Sequence, residues 1–377
     1  MTPSDRPAPR GRPLRCQVVV EQTLGHVTHS QNLRRLLPET GLDVNFVPIE
    51  FDVDGWKRRV PGFGNWTIRA GIRAKAALRA ESTAGRGHPD VRLVHTQVPA
   101  VLLRSEMQAV PTVVSLDATP RQYDALGEHY DHAVGRPTTE RLKTELNRRC
   151  FERAAHLITW AAWTKESLVD DYGIDPHRIT VIPPGVDVER WTAPDATPDD
   201  GTTRILFVGG DLARKGGHDL LAAFAQLRAI HGANVELHLV TPRPVAPPPG
   251  VNVHSTMTPN SADLIELYHR CQIFCLPTRG DCLPMVLPEA AAAGLALVSS
   301  RVGAIPEIVR DSQTGLLVDP GDVGQLVMSL DRLVSDRELR TRIAAAASAL
   351  VRAEHSASRN AGHIAGILRA AAETGSA

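Results

Sequence analysis

The sequence predicts an α/β protein made of two Rossmann-like, doubly wound parallel-sheet domains facing a cleft. Three observations carry that expectation. Short runs rich in β-branched residues alternate with longer runs of helical character along the chain, and such alternation belongs to parallel sheets covered on both faces. The alternation breaks once, over 181-VIPPGVDVERWTAPDATPDDGTT-203, a stretch with the Pro, Asp, Gly and Thr content of a linker. The length, 377 residues, suits two domains of ordinary size.

Taken in order, residues 1–13 are rich in Pro, Arg and Gly and are expected to form a disordered leader. The first domain spans 14–188. Its strands are expected at 15-RCQVVVE-21, 43-DVNFVPIE-50, 91-VRLVHT-96, 112-TVVSL-116 and 156-HLITW-160, with helices over 30–40 and 137–154 among others. The second domain spans 189–354. Strands are expected at 204–209, 235–240, 251–255, 272–277 and 296–300, and helices at 216–230, 261–270, 285–294, 321–335 and 337–352. An Ala-rich helix is expected over 355–373.

Composition narrows the function. Hydrophobic residues make up 42 % and charged residues 22 %, as in a globular protein with a large core. The net charge is zero, which argues against a nucleic-acid binder working through bulk electrostatics. Five cysteines are scattered, and 271-CQIFC-275 has the character of a buried strand rather than a metal site. Free thiols and no run of about 18 apolar residues point to a cytoplasmic protein that does not span a membrane. The stretch 56–80 is basic with aromatics, and Trp56, Lys57, Arg58, Arg59, Trp66, Arg69 and Arg73 are candidates for peripheral contact with an anionic membrane face.

Ligands of open α/β sheets bind where strand C-termini meet helix N-termini. Two such turns stand out in the second domain. In 207-FVGGDLARKGGHDLL-221, Gly209 and Gly210 follow a strand, and Arg214 and Lys215 precede a helix. Glycines let the backbone approach a ligand closely, and the cations can neutralise a diphosphate. In 279-RGDCLPMVLPEAAAAG-294, Asp281 stands at a strand end, eight residues before Glu289 on the following helix. Carboxylates so placed can take sugar or ribose hydroxyls. Alone, each turn is equally compatible with a tight solvated loop or an N-cap.

The ordered series 181-VIPPGVD-187, 207-FVGG-210 with Lys215-Gly216, Asp281 with Glu289, 292-AAG-294, 303-GAIPE-307 and 314-TGLLV-318 resembles glycosyltransferase family 4, retaining enzymes of the GT-B fold that use nucleotide sugars. The resemblance covers nearly the whole chain and is densest from 181 to 318. It implies a hexosyl transfer from a UDP- or GDP-type donor to a hydroxyl acceptor (a sugar, a lipid-linked or a small molecule), with no metal or further cofactor. It places Lys215 on the diphosphate, Asp281 on donor-sugar hydroxyls and Glu289 on the ribose. Cys282, Leu283, Pro284 and Met285 then form the turn facing phosphate and sugar, and the segment 254–257 lies near the base.

Three departures from the family pattern stand out. The first acid is Asp281 rather than Glu. The usual Phe-Gly is Leu283-Pro284, which removes one amide donor. The usual phosphate-binding arginine falls on Gly210, so Arg214 is the candidate to supply that charge. On the first domain, Gly25 marks the loop bordering donor and acceptor, with His26 and His29 beside it, and Asp117 occupies a strand end where relatives often carry a histidine. Asp117 is the candidate to orient an acceptor hydroxyl, and His95 is a weaker candidate nearby. A sugar-nucleotide epimerase, a sugar phosphorylase and a non-catalytic nucleotide-sugar binder stay open as alternatives.

Overall fold

The computed structural model describes residues 12–22, 26–50, 66–83, 88–127, 137–193 and 200–374. Gly25 and the membrane-contact candidates Trp56, Lys57, Arg58 and Arg59 lie outside them.

The first half runs β1 (Arg15–Gln22), α1 (His26–Leu36), β2 (Asp43–Glu50), α2 (Trp66–Thr83), β3 (Val91–His95), α3 (Gln97–Ala100), α4 (Arg104–Ala109), β4 (Thr112–Leu116), α5 (Pro120–Ala125), α6 (Pro137–Arg153), β5 (His156–Thr159), α7 (Ala162–Asp170), β6 (Ile179–Val181) and α8 (Val188–Trp191). The second runs β7 (Thr203–Val208), α9 (Gly217–His231), β8 (Val235–Val240), β9 (Val251–His254), α10 (Ala262–Arg270), β10 (Ile273–Leu276), α11 (Val286–Ala292), β11 (Ala296–Ser300), α12 (Ile305–Ile308), β12 (Gly315–Val318), α13 (Val323–Ser335), α14 (Arg337–Glu354) and α15 (Ala357–Thr374).

Each half forms a six-stranded sheet, ordered β2-β1-β3-β4-β5-β6 and β12-β11-β10-β7-β8-β9, and the strand pairings are parallel throughout. The strand C-termini of each sheet therefore share one end. Central strands are apolar on both faces, as sheets covered twice require. In β1, Val19 enters one core with Leu78 and Phe151. Its neighbours Val18 and Val20 enter the opposite core with Leu33 and Leu368, the two-residue alternation of a strand.

The first helix starts and ends earlier than the sequence suggested, at His26 and Leu36; it ends there because Pro38 diverts the chain into a short 3-10 turn. Two edge strands, β6 and β12, were not anticipated. The last helix, α15, packs Ala361, Ile364 and Leu368 against the first sheet. It reaches that sheet through a close crossing: Val186 bridges Ser356, and a Cβ on Gly185 would stand 2.2 Å from Ala357 Cα. Val186 and Trp191 lie in the second core.

The halves also touch beside the cleft. Glu307 of α12 accepts the backbone N–H groups of Ala162 (2.9 Å) and Trp163 (2.8 Å). These amides open α7, which has no side-chain cap of its own, so the second half supplies the cap of a first-half helix.

Candidate functional site

The strands β7 and β10 are neighbours, so the turns that follow them lie side by side. Two glycines make the fit possible. Gly216 has φ +72°, and a Cβ there would stand 1.9 Å from the Pro277 carbonyl oxygen. Gly303 has φ +54°, and its Cβ would stand 2.3 Å from the Asp281 carbonyl oxygen. Any side chain at either place would push the 277–282 turn away.

That contact brings Lys215, Arg214 and Asp281 together. Lys215 Nζ donates to Asp281 Oδ2 at 2.6 Å. Arg214 Nη1 donates to Asp281 Oδ1 at 3.3 Å and to the Gly280 carbonyl at 2.9 Å. Thr278 Oγ1 stands 3.1 Å from Asp281 Oδ2. The side chains of Lys215, Arg214 and Asp281 are 16 %, 11 % and 9 % exposed, so the ion pairs are weakly screened and count for more than surface pairs do. Arg214, expected from the sequence to face phosphate in place of Gly210, is turned here to Asp281 and the Gly280 carbonyl. A Cβ on Gly210 itself would meet nothing within 4 Å.

The rest of the predicted donor turn is buried: Cys282, Leu283, Pro284 and Met285 are all closed to solvent. The Cys282 carbonyl accepts the Ala304 amide at 2.9 Å, which ties this turn to α12. Gly209 donates its amide to the Val240 carbonyl at 3.0 Å. Glu289 does not join the Lys215–Asp281 cluster. It faces inward on α11 beside the fully buried Tyr268. Burial raises the Glu289 carboxyl to about 8, so it is largely protonated near neutral pH. The 254–257 segment leaves edge strand β9, where His254 meets His238 at 3.1 Å.

On the first domain, Asp117 ends β4, and its environment is built by the helix that follows. Thr119 and Gln122 form a reciprocal capping box, with Pro120 in the first turn of α5. That entry brings Tyr123 back to donate its hydroxyl to Asp117 Oδ2 at 2.7 Å. His26 Nε2 reaches the same oxygen at 3.3 Å, while Asp117 Oδ1 is buried with no partner. Burial opposes charge on both groups, yet their mutual attraction and hydrogen bond prevail. His26 is raised, helped by Glu21, and Asp117 is lowered, so the two form a buried ion pair. His29 and His95 are held neutral by burial and by the His26 charge, His29 at about 3. The His95 ring stacks on Trp160 at 5.0 Å and 13°, and Trp160 also packs in the second core.

The predicted membrane-facing set is partly overturned. Trp66 and Arg69 turn inward: Trp66 donates its indole N–H to Glu21, and Arg69 is only 6 % exposed. The reason is helical phase, because Arg69 adjoins the inward face of Ala70, Ala74 and Leu78. Arg73 binds the Glu50 carbonyl at 2.7 Å from the exposed side. No helix among the described residues is long and apolar enough to cross a membrane.

Sequence reasoning missed Tyr123, Thr278, Tyr268 and Glu307. Tyr123 had a usable signal, standing six residues after Asp117 across a Thr-Pro helix start. Glu307 belonged to a recognised motif but carried no hint that its partners lie in the other half.

Family comparison agrees with this arrangement. A model described as Glycosyltransferase Family 4 matches residues 25–190, and one described as Glycosyl transferases group 1 matches residues 202–336. The chain belongs to this glycosyltransferase family. Glycogen synthase of Mycobacterium tuberculosis is 29 % identical over 303 residues, 76 % of this chain and 71 % of that protein. A D-inositol 3-phosphate glycosyltransferase of Stackebrandtia nassauensis is 26 % identical over 360 residues, 87 % of this chain and 78 % of that one. Among solved structures, the sucrose-phosphate synthase of Thermosynechococcus elongatus superposes with a TM-score of 0.74 at 15 % identity, over 95 % of this chain and 98 % of that one. Anabaena HepE, solved in complex with UDP and glucose, gives 0.66 at 15 % identity, over 95 % and 100 %. At such identities the structures show a shared GT-B fold. The glycosyltransferase thus sets its Arg214–Lys215 pair and its His26–Asp117 pair at the strand C-termini of two Rossmann-like sheets.

Proposed function

We propose that this glycosyltransferase moves a sugar, with retention of configuration, from a UDP- or GDP-type nucleotide sugar to a hydroxyl acceptor. The observation that carries the reading is the pairing of Asp281 with both Lys215 and Arg214. Without a donor, the acid and the cations neutralise one another. An incoming diphosphate competes for the same cations through stronger charge-assisted hydrogen bonds. As Lys215 and Arg214 turn to phosphate oxygens, Asp281 is released to accept donor-sugar hydroxyls. The site thereby couples recognition of the diphosphate to recognition of the sugar.

In the transfer step, Lys215 and Arg214 stabilise the charge that grows on the departing diphosphate. The acceptor attacks from the face the diphosphate leaves, and a phosphate oxygen takes its proton. Asp117, fixed by Tyr123 and His26, orients the acceptor hydroxyl through Oδ1. Glu289 takes the ribose diol from beneath. Its buried carboxyl can donate as well as accept while protonated.

A nucleotide-sugar binder without transfer is the second reading, since Gly210 and Pro284 remove two phosphate ligands of the family. The Arg214 guanidinium beside Asp281 weighs against it by restoring one charge. A thermal-shift panel of nucleoside diphosphates and their sugars tests the proposal. A cognate donor at 100 times its Kd stabilises by about 2.7 kcal/mol, and Lys215→Ala abolishes the shift. No shift with any donor overturns the reading.

A further inference from the structure

We infer that the acceptor is a hydroxyl-rich molecule bearing an anionic group, a phosphate or a carboxylate, and that Arg69 binds that group. The inference rests on reading the first-domain end of the cleft as the acceptor side.

Arg69 lies in the first turn of α2 and is 6 % exposed. Its Nε is buried without a hydrogen-bond partner. Among the described residues its guanidinium makes no ion pair, and its charged head lies 5.6 Å from the Trp66 ring. The acid near Trp66 is already engaged. Glu21 receives the Trp66 indole on one oxygen and the Thr96 hydroxyl, at 2.8 Å, on the other. Those neutral donors leave the Glu21 charge in place, but Arg69 forms no hydrogen bond or ion pair with it; a buried guanidinium with an unfilled donor is costly, and the cost is met when a ligand supplies anionic oxygens. Five N–H donors in a planar fork match phosphate or carboxylate oxygens.

The atoms beside Arg69 describe the body of the same ligand. Thr96, held by Glu21, stands between His95 and Gln97. Gln97 Oε1, His95 Nε2 and Asp117 Oδ1 are all buried without partners. His95 lies 4.8 Å from the His26 ring, and His26 bonds Asp117. One chain of contacts at the C-terminal ends of β1, β3 and β4 therefore holds four unpaired buried polar atoms. Folded proteins pair about nine in ten such groups, so the concentration marks a place a ligand completes. Two of the four can only accept, Gln97 Oε1 and the ionised Asp117 Oδ1, and hydroxyl groups are what they lack.

Calorimetric titration of the full chain with inorganic phosphate, glucose 6-phosphate, glucuronate and glucose tests this. Lys215→Ala serves as background, so that anions at the donor site do not contribute. Glucose 6-phosphate or glucuronate is expected to bind at least tenfold tighter than glucose, and the tighter of the two names the anion. Arg69→Gln removes that advantage, leaves glucose binding within twofold, and changes Tm little, because among the described residues Arg69 has no internal hydrogen bond or ion pair to lose and gives up its 5.6 Å approach to the Trp66 ring. Arg69→Lys retains part of the preference. Equal binding of anionic and neutral sugars, or Arg69→Gln lowering Tm while the preference persists, overturns the inference. Titration of Arg69→Gln with UDP and GDP reports the donor site separately. Failure of nucleotide binding in the unmodified chain would sink the proposed function, not this assignment.

Discussion

Asp281→Asn should tighten the bare nucleotide while weakening the nucleotide sugar. The carboxylate holds Lys215 at 2.6 Å and Arg214 at 3.3 Å with all three side chains mostly buried. A hydrogen bond to a charged group contributes roughly 1.5–3 kcal/mol net, and a diphosphate must displace two of them. The asparagine keeps the shape but not the charge, so about 1.4 kcal/mol of that competition disappears, a factor of about ten in Kd. The sugar loses its ionised acceptor, so the extra affinity of nucleotide sugar over nucleotide should vanish. Isothermal titration of both ligands into both proteins reads the two effects independently. If Asp281→Asn leaves bare nucleotide binding unchanged or weakens it tenfold, the cations are not shared and the exchange mechanism is wrong.

Other perturbations follow from the same geometry. Glu289 has a folded pKa raised from 4.5 to about 8, so its contribution is fully present below 4.5 and is lost as pH rises through 8. Stability should fall by up to about 1.4 kcal/mol per pH unit in that window, and Glu289→Gln should flatten the slope in urea melts. Asp117→Asn removes the charge that raises His26. An NMR titration should find His26 above its ordinary 6.5 in the parent and below it in the variant, with acceptor kcat/KM reduced and donor Kd unchanged. Glu307→Ala uncaps α7 and should cost about 1 kcal/mol, read as a lower Tm. Gly216→Ala should cost more, about 1–3 kcal/mol, because its Cβ overlaps the Pro277 carbonyl.

What the sequence disclosed and what it hid have physical causes. The sheets were legible because central strands are buried on both faces and appear as short runs rich in Val, Ile and Leu. The edge strands β6 and β12 are three and four residues long, too short for a periodic signal. Lys215 and Asp281 were legible because each lies in the turn that follows the C-terminal end of a strand. Their contact depends on β7 and β10 being neighbours, which strand order alone does not disclose. Arg69 was misjudged because basic spacing cannot fix helical phase. Tyr123 and Glu307 act through contacts that only the folded chain creates.

The central claim, donor activation by Lys215 and Arg214, is tested most directly by nucleoside diphosphate release from a panel of UDP- and GDP-sugars, with and without a hydroxyl acceptor. The account predicts release from at least one donor, faster with acceptor, and slowed about 10²-fold or more by Lys215→Ala, as for loss of one preorganised charge-stabilising group. Tight donor binding with no release under any condition, or a Lys215→Ala variant that turns over at the parent rate, would contradict it.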